Sequence, residues 1–252
     1  MNTLALGTAQ RANRLGVQRR RPNSPYADKL RSIFGGNLTA HFPMWEDQGN
    51  IAIELAHGWN GTANTLAFGQ PGAGDGRTSP LFNGTTGIIN AYTPLLSAAW
   101  NGQELTISLW VKVFDNAVWT DTATRRFITF QQDGSNRILL QKNPNTGALF
   151  QYMGGAVTKS VTRPVAGTTA NWTHIALTIS KAGDAMKAYW NGVQEGTTQT
   201  GLGTWPAGTP TTFFVGAASA AAGDKHYGWM AHLAIGNRAL TAAEVAALAV
   251  MP

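Results

Sequence analysis

Residues 172–192 read WTHIALTISKAGDAMKAYWNG. In the first half, Thr173, Ile175, Leu177 and Ile179 alternate with His174, Ala176 and Thr178. That is the period-2 pattern of a β-strand. A second run, Ala185 to Trp190, leads into Asn191-Gly192. Both residues of that dipeptide tolerate positive φ, so it predicts a type I′ hairpin turn with Val193 to Thr198 as the return strand. Leu105 to Val113 repeats the pattern. Leu105, Ile107, Leu109, Val111 and Val113 predict a buried face, and Thr106, Ser108, Trp110 and Lys112 the other face. Shorter runs predict strands at Leu38–Met44, Leu66–Gly69, Gly87–Asn90, Arg126–Gln131, Arg137–Gln141, Ala148–Tyr152, Val157–Val161, Thr211–Val215 and Tyr227–Ile235. Turn clusters such as residues 133–136 and 143–147 separate them. Many short strands at this spacing indicate an all-β sandwich or jelly roll.

Two helices frame the strands. Tyr26, Leu30, Ile33 and Phe34 share one face of a helix that Gly35-Gly36 ends. Thr241-Ala242-Ala243-Glu244 is a capping box opening an apolar run to Val250.

The charge is divided unevenly. Of 19 basic and 13 acidic residues, Arg11, Arg14, Arg19, Arg20, Arg21, Lys29, Arg31 and Asp28 lie within residues 1–31. They account for the whole net charge of +6, and the remainder balances to zero. The chain therefore divides into a basic N-terminal arm with a short helix (residues 1–35) and a neutral body (residues 36–252). The arm's composition predicts docking onto an acidic protein surface. No aromatic before Tyr26 and no Lys-rich tract favours nucleic acid, and the Arg-rich, acid-poor start is shared with transit peptides. Without cysteine there is no disulfide or thiolate metal site. No run of about 18 apolar residues predicts a membrane span. Charges follow the short apolar patch at Leu4–Leu6 rather than precede it, unlike a signal peptide, which predicts synthesis in a cytoplasm.

Three stretches together resemble the laminin G-like, or concanavalin A-like, jelly rolls. They are Leu38 to Met44 continuing through Gly49-Asn50 to Gly61-Thr62; Trp172 to Leu177 followed by Lys187 to Gly192; and Gly228 through Asn237-Arg238-Ala239-Leu240-Thr241-Ala242-Ala243-Glu244. The resemblance implies a two-sheet jelly roll closed by a terminal helix. A narrower resemblance, carried by Gly69 to Pro80 with Tyr26 to Arg31 upstream, is to laminin G-like proteins encoded by bacteriophages. It implies a virion exterior component, a capsid decoration or head-fibre element.

Catalytic and metal signatures are missing from the sequence. Retaining glycosidases need two carboxylates about 5–5.5 Å apart, and no strand carries acids at i and i+2 or i+4. Calcium needs several converging oxygens, and Glu46, Asp47, Glu54 and Asp75 have no spacing that demands it. The five histidines stand singly. Trp59, Trp119 and Trp205 fall in predicted polar loops, where an indole can stack on a sugar ring or anchor the loop. The expectation is a non-catalytic virion protein without cofactor or metal. Its arm residues Arg11, Arg14, Arg19, Arg20, Arg21, Tyr26, Lys29 and Arg31 would grip a major capsid protein or another virion protein, and copies would associate as a homo-oligomer. The alternative is a lectin-like, glycan-binding module for host attachment through Trp59, Trp119 and Trp205.

Overall fold

The computed structural model describes residues 24–164, 169–221 and 223–251. In chain order its elements are α1 (Pro25–Phe34), β1 (Leu38–Phe42), β2 (Ile51–Ala52), β3 (Gly61–Asn64), β4 (Ala67–Pro71), β5 (Thr78–Asn83), β6 (Ile88–Asn90), α2 (Pro94–Ala98), β7 (Glu104–Val113), α3 (Ala117–Thr120), β8 (Arg125–Asp133), β9 (Asn136–Asn143), β10 (Gly147–Gly154), β11 (Val157–Arg163), β12 (Thr173–Ser180), β13 (Ala185–Trp190), β14 (Val193–Gln199), β15 (Thr212–Val215), β16 (Tyr227–Gly236) and α4 (Ala242–Leu248). Asn191 and Gly192 both have positive φ, 49° and 80°, and close the β13–β14 hairpin as the dipeptide predicts.

The strands pair antiparallel into two sheets. Sheet A runs β14-β13-β12-β7-β16-β5-β4, with β1 sharing the free side of β16. Sheet B runs β11-β10-β9-β8-β15-β6-β3-β2. The main core lies between them and holds Leu105, Ile107, Leu109, Ile175 and Leu177 of sheet A against Ile138, Leu140, Phe150 and Phe213 of sheet B. Helices α2 and α3 send Leu96, Val118 and Trp119 into this same core. This is the jelly-roll sandwich that the alternation predicts.

A second apolar cluster departs from the expectation of one buried face. Tyr26, Leu30 and Phe34 of α1, with Val245 and Leu248 of α4, cover Trp110, Ala176, Tyr189 and Ala234 on the outer face of sheet A. Thr106 and Ser108 are consequently buried as well. Their hydroxyls are satisfied locally. Thr106 donates to the Arg238 carbonyl at 2.6 Å and accepts from the Leu240 amide at 2.9 Å, while Ser108 bonds His174 at 2.8 Å. Helix α1 thus belongs to the folded body, although the sequence assigns it to the arm.

This packing corrects two binding roles. Tyr26 is fully buried and donates its hydroxyl to the Leu248 carbonyl at 2.7 Å, so no partner reaches it. Lys29 donates to the carbonyls of Val250 (2.7 Å) and Ala247 (3.3 Å), capping the end of α4 where a cation is favoured. Arg31 pairs with Asp28 at 3.4 Å on the surface of α1. Arg11, Arg14, Arg19, Arg20 and Arg21 lie outside the described residues.

Burial also sets histidine chemistry. His174 and His226 are fully buried, and burial pushes each pKa down to about 3. His41 is also lowered well below its usual value, by burial first and then by the charges of His232 and Arg31. An extra residue bulges β16 at His232 (φ 53°), between Ala231 opposite Trp110 and Ala234 opposite Ser108. The bulge aims the imidazole at Asp75, at 2.9 Å, with His41 3.4 Å away.

Two outcomes follow for stability. Tyr26→Ala is expected to cost about 3–5 kcal/mol in urea unfolding, the usual range for a truncated core aromatic; an unchanged midpoint would mean that α1 is not docked. For pH, an unfolded histidine titrates near 6.5, and native His174 and His226 near 3. Between these values the unfolded state binds more protons, so stability is full above about pH 6.5 and falls with acidification. These two account for a loss of roughly 2–3 kcal/mol from pH 6 to pH 5, and His41 adds to it in the same direction. His174→Gln should lower that slope by about a third, with His226 and His41 supplying the rest, and a flat profile would contradict the burial of neutral imidazoles.

Candidate functional site

With α1 and α4 on sheet A, the broad face left without this helical layer is the outer face of sheet B. Period-2 alternation decides what stands there. Where Ile138, Leu140, Phe150 and Tyr152 point inward, Arg137, Leu139, Gln141, Leu149, Gln151 and Met153 point outward. The register places Leu139 opposite Thr129 and Gln151, and Thr129 opposite Phe214. Gln131 faces Arg137, and Arg126 faces Gln141. Tight turns hold this register. Asp133 accepts the amides of Ser135 (2.7 Å) and Asn136 (2.9 Å) between β8 and β9, and Asn145 and Gly147 adopt positive φ before β10.

The face is polar, and part of that polarity is unused. Gln141 is 7% exposed; its amide donates to Asn143, and its Oε1 is shielded with no partner. Gln151 Oε1, Arg137 Nε, and Arg126 Nε and Nη1 are likewise shielded and without hydrogen-bond partners. Asp224 lies 3.4 Å from Arg126 Nε, an ion-pair contact without hydrogen-bond alignment. Burial lowers the Arg126 pKa most, Asp224 acts against it, and the charge of Arg137 adds to the lowering. Each buried polar group without a partner costs about 1–3 kcal/mol.

The tryptophans expected to bind glycans divide differently. Trp119 is 2% exposed, donates to the Thr169 carbonyl at 3.0 Å and meets Phe127 and Trp190 edge-on. Trp205 is fully buried among Trp100, Phe130 and Tyr152. Trp119 anchors α3 and Trp205 its loop into the main core, and neither is exposed, which corrects their assignment as sugar platforms. Trp59 is half-buried, packs on the main core and stacks on His57 at 4.4 Å. Exposed Phe114 stacks on Tyr227 (4.4 Å) and Trp229 (5.7 Å), with Lys112 over Trp229 and Arg125 over Tyr227. These rings are engaged with one another and with cations.

The carboxylate most central to a calcium reading is also spent. Glu54 Oε1 accepts the amides of His41 (2.8 Å) and Ala56 (2.6 Å). Its Oε2 accepts those of His57 (2.7 Å), Gly58 (2.8 Å) and Trp59 (3.2 Å). It is a loop anchor saturated by amides and has no oxygen left for a cation.

The residues of the sheet B face escaped the sequence reading. Their signal was the run of Arg and Gln at the polar positions of β8 to β10, and the zero balance of the whole body concealed it.

Comparison with known proteins agrees with the architecture. Residues 83–246 match the family model described as the concanavalin A-like lectin/glucanases superfamily. No curated protein sequence matches the chain. Similar solved structures include domain 4 of an extracellular arabinanase from Geobacillus stearothermophilus, in complex with arabinotriose. It is 20% identical, with a TM-score of 0.62 over 85% of this chain and 98% of that one. The botulinum neurotoxin serotype D binding domain is 13% identical, with a TM-score of 0.65 over 87% of this chain and 52% of that one. A Trypanosoma rangeli sialidase is 14% identical, with a TM-score of 0.64 over 86% of this chain and 33% of that one. At these identities the likeness is one of fold. The family match spans well over half of the sequence and takes in β6 to β16, and the chain belongs to the concanavalin A-like lectin/glucanases superfamily.

Proposed function

We propose that this chain is a non-catalytic carbohydrate-binding module whose ligand lies across the outer face of sheet B. The observation that carries this reading is the set of half-buried polar side chains, Arg126, Gln131, Arg137 and Gln151, that the strand alternation places on this outer face. Such groups exchange hydrogen bonds readily with sugar hydroxyls, and half-buried Phe214 offers apolar surface to a ring's C–H face. Binding rather than hydrolysis is favoured by the acids: within the strands of sheet B the acid is Asp133, which is used to close the β8–β9 turn. A hydrolase of this fold needs two carboxylates facing one bond. The fold likeness to structures solved with arabinotriose and N-acetylneuraminic acid adds support.

A glycan array with affinity electrophoresis tests it. The full chain should retain at least one polysaccharide, and Gln131→Ala with Gln151→Ala should weaken retention about tenfold, as expected for two lost neutral hydrogen bonds. Retention that is lost on Trp59→Ala and unchanged in the double variant would overturn the location.

The sequence favours a second layer to this reading, in which the body faces outward from a bacteriophage particle and the basic arm holds it there. The support is the concentration of net charge in residues 1–31. Substituting Arg11, Arg14, Arg19, Arg20 and Arg21 by Gln should abolish co-sedimentation with particles and spare glycan retention. Particle binding that survives both this change and high salt would exclude an ionic tether.

A further inference from the structure

Charge is sorted between the two sheets. The strands of sheet A carry Glu104 and Glu195 against Lys112 and Lys187. Those of sheet B carry Arg125, Arg126, Arg137, Lys142, Lys159 and Arg163 against Asp133. A neutral body therefore contains one cationic layer.

Three of these six cations are already committed. Arg125 binds Asp121 through Nε (3.2 Å) and Nη2 (2.7 Å). Lys142, fully buried, donates to Asp121 and to the Ala123 carbonyl at 3.0 Å. Arg163 pairs with Glu195 at 2.5 Å. Lys159 lies on edge strand β11, away from the centre of the face. Arg126 and Arg137 differ from these. Arg137 makes no ion pair among the described residues, and Arg126 has only the misaligned contact to Asp224.

Their placement defines a span. Arg126 stands opposite Gln141 and Arg137 opposite Gln131, so the two arginines flank the row Phe214–Thr129–Leu139–Gln151. Four residues of β9 separate the Gln141 and Arg137 positions, about 13 Å along the strand. The long side chains shorten the distance between charges, and each guanidinium destabilises the other.

Resting on the carbohydrate-binding reading, we infer that the ligand of this face is an acidic glycan, a polymer of carboxylate-bearing sugars whose acid groups are held by Arg126 and Arg137. A carboxylate presents two acceptors to the planar guanidinium fork and relieves the repulsion between the arginines. The amides of half-buried Gln131 and Gln151 then meet ring hydroxyls, and half-buried Phe214 lies beneath the sugar. A neutral glycan leaves Arg137 without an ion pair among the described residues and Arg126 with Asp224 alone. A single-stranded nucleic acid finds only one half-buried aromatic, Phe214, in this row, where base stacking needs several.

The test uses the full chain with Arg11, Arg14, Arg19, Arg20 and Arg21 changed to Gln as the parent, so that the arm contributes no polyanion binding. Isothermal titration compares polygalacturonate, hyaluronate and polysialic acid with methyl-esterified polygalacturonate, arabinan and single-stranded DNA. At least one carboxylate polymer should bind, and Arg126→Gln and Arg137→Gln should each weaken it roughly tenfold or more, the range for a lost charge-assisted hydrogen bond. Thermal midpoints of both variants confirm that they fold. Should arabinan or the esterified polymer bind as tightly as any acid, with both variants at parental affinity, the acidic class fails and the glycan reading stands. If the array also finds no polysaccharide retained, both fail. DNA bound through the same two arginines as tightly as the polyuronates would make this a general polyanion surface and overturn the inference.

Discussion

Tyr26 fills the gap between α1, α4 and the outer face of sheet A, and its hydroxyl closes on the Leu248 carbonyl. Much of the molecule's organisation depends on this contact. It ties the first described helix to the last across nearly the whole chain. Leu30, Phe34, Val245 and Leu248 add apolar side chains to the same seam, each contributing about 1.5–3 kcal/mol when fully buried. Because sheet A is covered on both sides, the sandwich is three-layered there and two-layered elsewhere. Sheet B keeps an outer face without helical cover, and binding chemistry can be placed on it without disturbing either core.

Covering sheet A has a chemical consequence. Its outer positions still carry Thr106, Ser108, His41, His174 and the bulged His232, all buried. Buried polar groups are tolerated when they find partners. Here Ser108 meets His174, Asp75 meets His232, and Thr106 serves the chain entering α4. The imidazole at 174 is held neutral beneath Trp110, so helix docking and proton uptake oppose each other there. The same polarity that makes this face resemble a surface in sequence makes its covered state sensitive to acid.

Legibility followed the range of the interactions. The alternation in β7 and β12, the Asn191-Gly192 turn and the Thr241–Glu244 capping box are local, and the sequence displays them. Strand β5 was missed because Ser79-Pro80 after a glycine-rich stretch reads as loop; the strand survives because Ser79 pairs with β4 and Leu81 pairs with both neighbours. The covering of Thr106, Ser108 and His174 was invisible because it depends on helices far away in the chain. Trp119 and Trp205 misled for a related reason. Polar neighbours suggested exposure, but an indole's large apolar area favours the nearest core, and each loop ends close to one. The candidate site was hidden by summation. Arg126 and Arg137 vanish into a balanced total, and only the register of β8 with β9 separates them from the paired charges.

That register also separates the roles of charge in the molecule. Arg125, Lys142 and Asp121 form a closed set that fixes the segment after α3 to sheet B, and its worth is positional. Arg126 and Arg137 sit on the same two strands and lack that closure. An uncompensated cation on a partly desolvated face is a cost to the isolated fold. It is compatible with stability here because two-sided burial of sheet A supplies apolar stabilisation elsewhere. A rigid sheet then holds both guanidinium stems in place before a ligand arrives, so fewer degrees of freedom are lost on binding. The helical layer on one sheet and the unfilled polar face on the other are thus linked: the first provides the stability that the second draws upon.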